Sequence, residues 1–213
     1  MKLVEMALHY PLSERRPRLP AWVLLFLWLV YTLIYTLPFD SNLEAVLEAL
    51  VGASGVLVLL GMGFTRRELY LGIRPISRKG WITLGLATLA LAGPLATSPW
   101  IGVRWLNLLV YAPLSGITQE LFFRASLLPA IQKLCGSKTW SSLILHAFLF
   151  GLWHVPLAYL AAPISPWVAV VALFAVTALA GLAWGWQVQH DRTVVWTMLH
   201  HSLLLMVMSL FGL

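Results

Sequence analysis

The sequence predicts an all-α polytopic membrane protein, a bundle of about seven transmembrane helices around a polar mid-membrane cavity. Three observations predict it. Of 213 residues, 60% are hydrophobic and only 10% charged, and mean hydropathy is +0.84. A soluble domain is about 45–50% apolar and about 25% charged, and a water-soluble fold of this size leaves too much wet surface to hide the excess. The apolar residues also fall in runs close to the ~20 residues that a spanning helix needs. The lipid bilayer is therefore the first partner. A nucleic-acid module is excluded despite a pI of about 9.8 and a net charge of +6. A disulfide scaffold is excluded too, because Cys135 stands alone.

Segment one covers residues 21–37 and follows Arg15, Arg16 and Arg18. No small-x-small cleavage site follows it, and Trp28, Tyr31 and Tyr35 are bulky, so it reads as an uncleaved anchor. A turn at 38–42 precedes segment two, 43–64, with Ser41 or Asn42 as its cap. A basic loop carries Arg66, Arg67, Arg74, Arg78 and Lys79 into segment three, 81–97, which ends at Ser98-Pro99. Segment four, 102–134, would be about 50 Å long if straight, so a kink at Pro113–Gly116 or a split into two pieces is expected. Segments five, six and seven cover 140–160, 166–188 and 193–213. No internal repeat interrupts the chain, which reads as one membrane-embedded domain over 1–213.

Lys and Arg sort the sides. The N-terminal tail, the 66–79 loop, Lys133 with Lys138, and Arg192 are basic, while the 38–42 turn and the 161–166 loop carry no Lys or Arg and the 98–104 loop carries only Arg104. If segment four crosses once, the positive-inside rule places the N-terminus in the cytoplasm and the C-terminus outside. Trp22, Trp81, Trp100, Trp140 and Trp167 fall at helix ends, as an aromatic belt requires.

Two charges are deep in a membrane segment, Glu120 and Arg124. Each costs at least about 2.5–3.5 kcal/mol at the bilayer centre, so such groups are normally paired and functional. Their i, i+4 spacing puts them on one helix face. His154 on segment five and His200 on segment seven reach comparable depth, and the four side chains are expected to converge on one cavity. His201 points about 100° from His200 and is expected to face elsewhere. His146 shares the face of His154, with Phe150 between, and reads as packing or as a supporting group. Glu44 and Glu48 read as favourable charges at the start of a helix.

The run Gln119-Glu120-Leu121-Phe122-Phe123-Arg124 resembles the EExxxR motif of the CPBP family, the CAAX-processing and bacteriocin-processing intramembrane proteases also called Abi. Phe150-Gly151-Leu152-Trp153-His154 is similar to its FxxxH motif, and the third motif, HxxxN or HxxxD, should begin at His200. The core resemblance covers 111–205. It implies a glutamic-type endopeptidase, without metal or other cofactor, in a bacterial or archaeal inner membrane. It would cleave a membrane-anchored or lipidated protein or peptide substrate near its C-terminus. In the family the first Glu and the FxxxH His activate a water, the third-motif His and Asn donate to the oxyanion, and the Arg holds the glutamates. The chemistry is coherent, since amide hydrolysis needs a general base and donors aimed at the developing oxyanion.

Two positions depart from the motifs. Gln119 stands where the first Glu is expected, and an amide cannot take a proton from water. Leu204 stands at the expected Asn position. The chain as written is therefore expected to be inactive or nearly so, with Gln119→Glu making or restoring activity. Two other readings stay open: a non-catalytic family member acting in peptide binding or immunity, and a small transporter or proton relay. A zinc protease is disfavoured, because no HExxH is present. Gly181 and Gly185 form a GxxxG, whose plainer meaning is close helix packing.

Overall fold

The computed structural model describes residues 18–37, 41–97, 100–136, 139–156 and 166–211. Among these residues every regular element is a helix. In chain order they are α1 (Leu19–Thr36), α2 (Ser41–Gly61), α3 (Arg78–Thr97), α4 (Ala112–Phe122), α5 (Leu128–Leu134), α6 (Thr139–Trp153), α7 (Pro166–Asp191) and α8 (Val195–Met208). Helices α1, α2 and α7 are long and apolar enough to cross a membrane, whereas the apolar α6 and α8 are shorter, at 15 and 14 residues. Helix α6 breaks at His154, whose backbone N–H turns back to the Gly151 carbonyl at 3.1 Å. The expected extension of that segment to 160 lies outside the described residues, as do Arg15, Arg16, Lys138, Pro38–Asp40 and Ser98-Pro99. Helix α2 begins at Ser41, and the Asn42 side-chain oxygen accepts a hydrogen bond from the Tyr111 hydroxyl. Trp22, Trp81, Trp100, Trp140 and Trp167 are all exposed.

Segment four is a single helical rod with two widened turns. Residues Asn107–Tyr111 and Phe123–Leu127 are π-helical, and the residues at their junctions keep right-handed helical backbone. Each π turn ends two residues before a proline, Pro113 or Pro129. The cause is local. Proline offers no N–H, and its ring would strike the carbonyl four residues back, so the preceding turn widens. The kink expected at Pro113–Gly116 is thus taken up one turn earlier. The second widened turn carries Arg124, and the Ser126 hydroxyl bonds back to the Leu121 carbonyl at 2.8 Å.

Helix α4 lies between α2 and α8. It approaches both closely because the crossings are made of small residues. A Cβ on Gly52 would fall 2.8 Å from the Thr118 carbonyl oxygen, and one on Gly116 would fall 2.7 Å from the Ser202 backbone. The Ser202 hydroxyl donates to the Pro113 carbonyl at 3.1 Å, which ties α8 to the start of α4. Gly181 and Gly185 do pack closely, Gly181 against Phe150 and Gly185 against Leu143 and His146. An aromatic block of Tyr31, Phe122, Phe123 and Trp153 fills the interior between α1, α4 and α6, with Tyr31 and Phe122 edge to face at 5.2 Å.

Candidate active site

Gln119 and Glu120 are adjacent on the last turn of α4, so their side chains leave the helix about 100° apart. Glu120 turns towards α8, and Gln119 turns into a cavity bordered by α2.

On the α8 side a closed ion cluster forms. Arg124 Nη1 lies 3.0 Å from Glu120 Oε1, and both side chains are fully buried. The same oxygen lies 2.9 Å from His201 Nδ1. The guanidinium carbon sits 4.0 Å from the centre of the Phe150 ring and 5.0 Å from that of Trp184. Such cation–π walls attract a desolvated cation by about 2 kcal/mol or more. His201 in turn stacks on Trp184 at 4.4 Å. A carboxylate held by a guanidinium and an imidazole has its negative charge already committed, so Glu120 is a poor candidate to take a proton from water.

His201, and not His200, meets Glu120. His200 turns to α3 and α7: its Nε2 lies 2.8 Å from Thr88 Oγ1, and its Nδ1 accepts from Trp184 Nε1 at 3.0 Å. Trp184 can only donate, so the Nε2 of a neutral His200 carries the proton and donates to Thr88, whose own hydroxyl donates to the Leu84 carbonyl. The expectation for the two histidines was therefore one residue out of phase. The Gly116–Ser202 crossing sets the phase, because α8 presents Thr197, His201 and Ser202 as its buried face. Starting the third motif at His201 moves its fourth following position from Leu204 to Leu205. Leu204 is packed against the core, Leu205 lines the cavity beside Gln119, and neither can donate a hydrogen bond.

His154 occupies the turn that follows α6. Its Nδ1 lies 2.9 Å from the Phe150 carbonyl, and its ring is 4.8 Å from both Phe150 and Trp153. The Phe150 ring also touches Arg124 and lies 6.3 Å from His201, so His154 joins the cluster through an aromatic wall. His146 is fully buried, edge-on to Phe123 at 6.4 Å. Among the described residues, no three His, Cys, Asp or Glu side chains come together as a metal-holding group.

On the α2 side Gln119 borders a cavity of about 250 Å³, lined also by Glu44, Glu48, Tyr35, Ser115 and Leu205. Gln119 Nε2 donates to Ser115 Oγ at 2.9 Å, and Ser115 lines the cavity with Glu48. Glu48 is only 4% exposed. Sequence reasoning missed it by treating it as a helix-start charge. A signal was present: Glu48 is in the second turn of α2, whereas the benefit of the helix dipole fades within the first.

A family model described as type II CAAX prenyl endopeptidase Rce1-like matches residues 100–207. The chain belongs to that family. No curated protein and no solved structure matches it. Its apolar helices and its membership of a CAAX prenyl endopeptidase family make it an integral membrane protein. The matched stretch holds Gln119, Glu120, Arg124, His154, His200 and His201, while Glu44 and Glu48 precede it.

Proposed function

We propose that the chain is an intramembrane glutamic-type endopeptidase that cleaves a peptide bond near the C-terminus of a membrane-anchored or prenylated substrate. The supporting observation is the division of α4, with a sealed cluster of Glu120, Arg124 and His201 on one side and a polar cavity at Gln119 on the other. The cluster fixes α4 against α8 and keeps Gln119 turned to the cavity. His154, beside the cluster, is assigned to help activate water. The Lys/Arg pattern assigns the N-terminus to the cytoplasm and the C-terminus to the opposite side, with about seven crossings by one domain.

Gln119 has no usable basic lone pair, so a carboxylate at this position speeds cleavage. The test is hydrolysis of a farnesylated Cys-aliphatic-aliphatic-X peptide in proteoliposomes by the native chain and by Gln119→Glu. The Gln119→Glu chain cleaves at least tenfold faster, and His154→Ala in that background abolishes cleavage. The proteolytic reading fails if the Gln119→Glu chain leaves the peptide intact.

A further inference from the structure

The cavity at Gln119 holds a carboxylate that the family motifs do not include. Glu48 enters it from α2, and Glu44, one turn earlier on the same face, stands on the same wall. Gln119 Nε2 donates to Ser115 Oγ at 2.9 Å, and both side chains line the cavity together with Glu48. Gln119 is 3% exposed, and its Oε1 is buried with no hydrogen-bond partner among the described residues, although the side chain borders the cavity. The Gln119 amide and the buried Glu48 carboxylate line the same cavity, and a small rotation that turns Oε1 to that cavity makes the two an acceptor pair for a two-hydrogen ligand. Water has the right size and the right two donors.

We propose that Glu48 is the general base of this chain, standing in from α2 for the carboxylate that position 119 lacks. This rests on the proteolytic reading. A water in the cavity gives one hydrogen bond to Gln119 Oε1 and the other to Glu48. As the water oxygen attacks the scissile carbonyl carbon, its proton passes to the Glu48 carboxylate, and the carbonyl π pair moves onto oxygen. When the tetrahedral intermediate collapses, the C–N bond breaks. The proton on Glu48 then goes to the departing amine nitrogen, which returns the carboxylate. Gln119 keeps the positioning half of the motif role and Glu48 takes the protonic half. The arrangement is available because Gly52 lets α2 lie against Thr118, next to Gln119, which brings a carboxylate on α2 within reach of the end of α4.

The experiment compares four chains on the farnesylated peptide in proteoliposomes: native, Glu48→Gln, Gln119→Glu, and the double variant. Glu68→Gln, in the 62–77 loop, serves as a control. Glu48→Gln keeps the size and shape of the side chain and removes the base. It is expected to lower kcat by about 10²-fold or more with little change in KM, as loss of a general base does. Its melting temperature in detergent stays near that of the native chain. The double variant, with a carboxylate restored at 119, regains at least a tenth of the Gln119→Glu rate. That rescue separates a lost base from a damaged fold. Native-rate cleavage by Glu48→Gln overturns the proposal, and so does a silent Glu48→Gln that the second change fails to rescue. A native chain that is silent while Gln119→Glu cleaves also overturns it, and leaves the proteolytic reading standing. Silence of both the native and the Gln119→Glu chains overturns the two together.

Discussion

The two sides of α4 are built from similar residue types and are put to different ends. Towards α8, a carboxylate, a guanidinium and an imidazole are sealed among Phe150, Trp184 and Phe123, and the charges neutralise one another. Towards α2, an amide, a hydroxyl and a carboxylate border an open volume, with no cation among the lining residues. Each charge in the cluster faces an opposite charge and both side chains are fully buried, whereas the cavity is open and holds carboxylates with no facing cation. Adjacency in sequence is a poor guide to shared chemistry, since one residue along a helix is enough to move a side chain from one setting to the other.

The contrast can be broken most sharply at Arg124. Arg124→Ala leaves Glu120 buried without its cation and is expected to cost about 3–5 kcal/mol, the usual penalty for stranding a buried charge. Thermal unfolding in detergent measures it. Joint replacement by apolar residues of similar volume, Glu120→Leu with Arg124→Met, should recover most of that loss. His201→Ala comes next, at about 1.5–3 kcal/mol, the range for hydrogen bonds to charged groups. His200→Ala, which loses only neutral partners, should cost about 0.5–1.5 kcal/mol. A reversed order of the two histidine variants would contradict the phase of α8 described here.

Gly116→Ala sharpens the comparison from the backbone side. Its new methyl would sit 2.7 Å from the Ser202 backbone, so α8 must retreat. Overpacking of this kind costs about 1–3 kcal/mol. Gly85→Ala, whose methyl would meet nothing within 4 Å, should be neutral or slightly stabilising by comparison. A small loss is expected at Ser115→Ala, which removes the hydroxyl that accepts from Gln119. Stability should fall by about 1 kcal/mol or less, because water in the cavity can replace the hydroxyl. Peptide cleavage should slow severalfold.

The helical class, the apolar runs and the Glu120–Arg124 pair were legible in the sequence, because hydropathy and i, i+4 spacing are local properties. The widened turns were half legible. Pro113 pointed to a disturbance in its neighbourhood, but Pro129 was passed over, though the same missing N–H acts there. The choice between His200 and His201 was not legible from spacing alone. It depends on a crossing between Gly116 and Ser202, which are far apart in sequence, although Thr197, His201 and Ser202 form a small polar stripe that hinted at it. Glu48 was hidden for another reason: a helix start is an adequate local explanation for an acidic residue, and only the neighbouring α4 shows that this one is buried. Seven full crossings were expected, but only α1, α2 and α7 combine sufficient length with sufficient hydropathy among the described residues.

The division of α4 into a dry face and a wet one can be measured directly with thiol chemistry. In a Cys135→Ser background, Ser115→Cys places a thiol on the cavity wall. Thr197→Cys places one beside Glu120, at a position that is fully buried. Ser115→Cys is nearly isosteric, and Thr197→Cys exchanges the hydroxyl for a thiol with the loss of one methyl group. A small water-soluble alkylating reagent, applied to the native fold, should label Ser115→Cys at least tenfold faster than Thr197→Cys, and unfolding should make the two rates alike. Equal rates in the folded protein, or faster labelling at Thr197→Cys, would contradict the account.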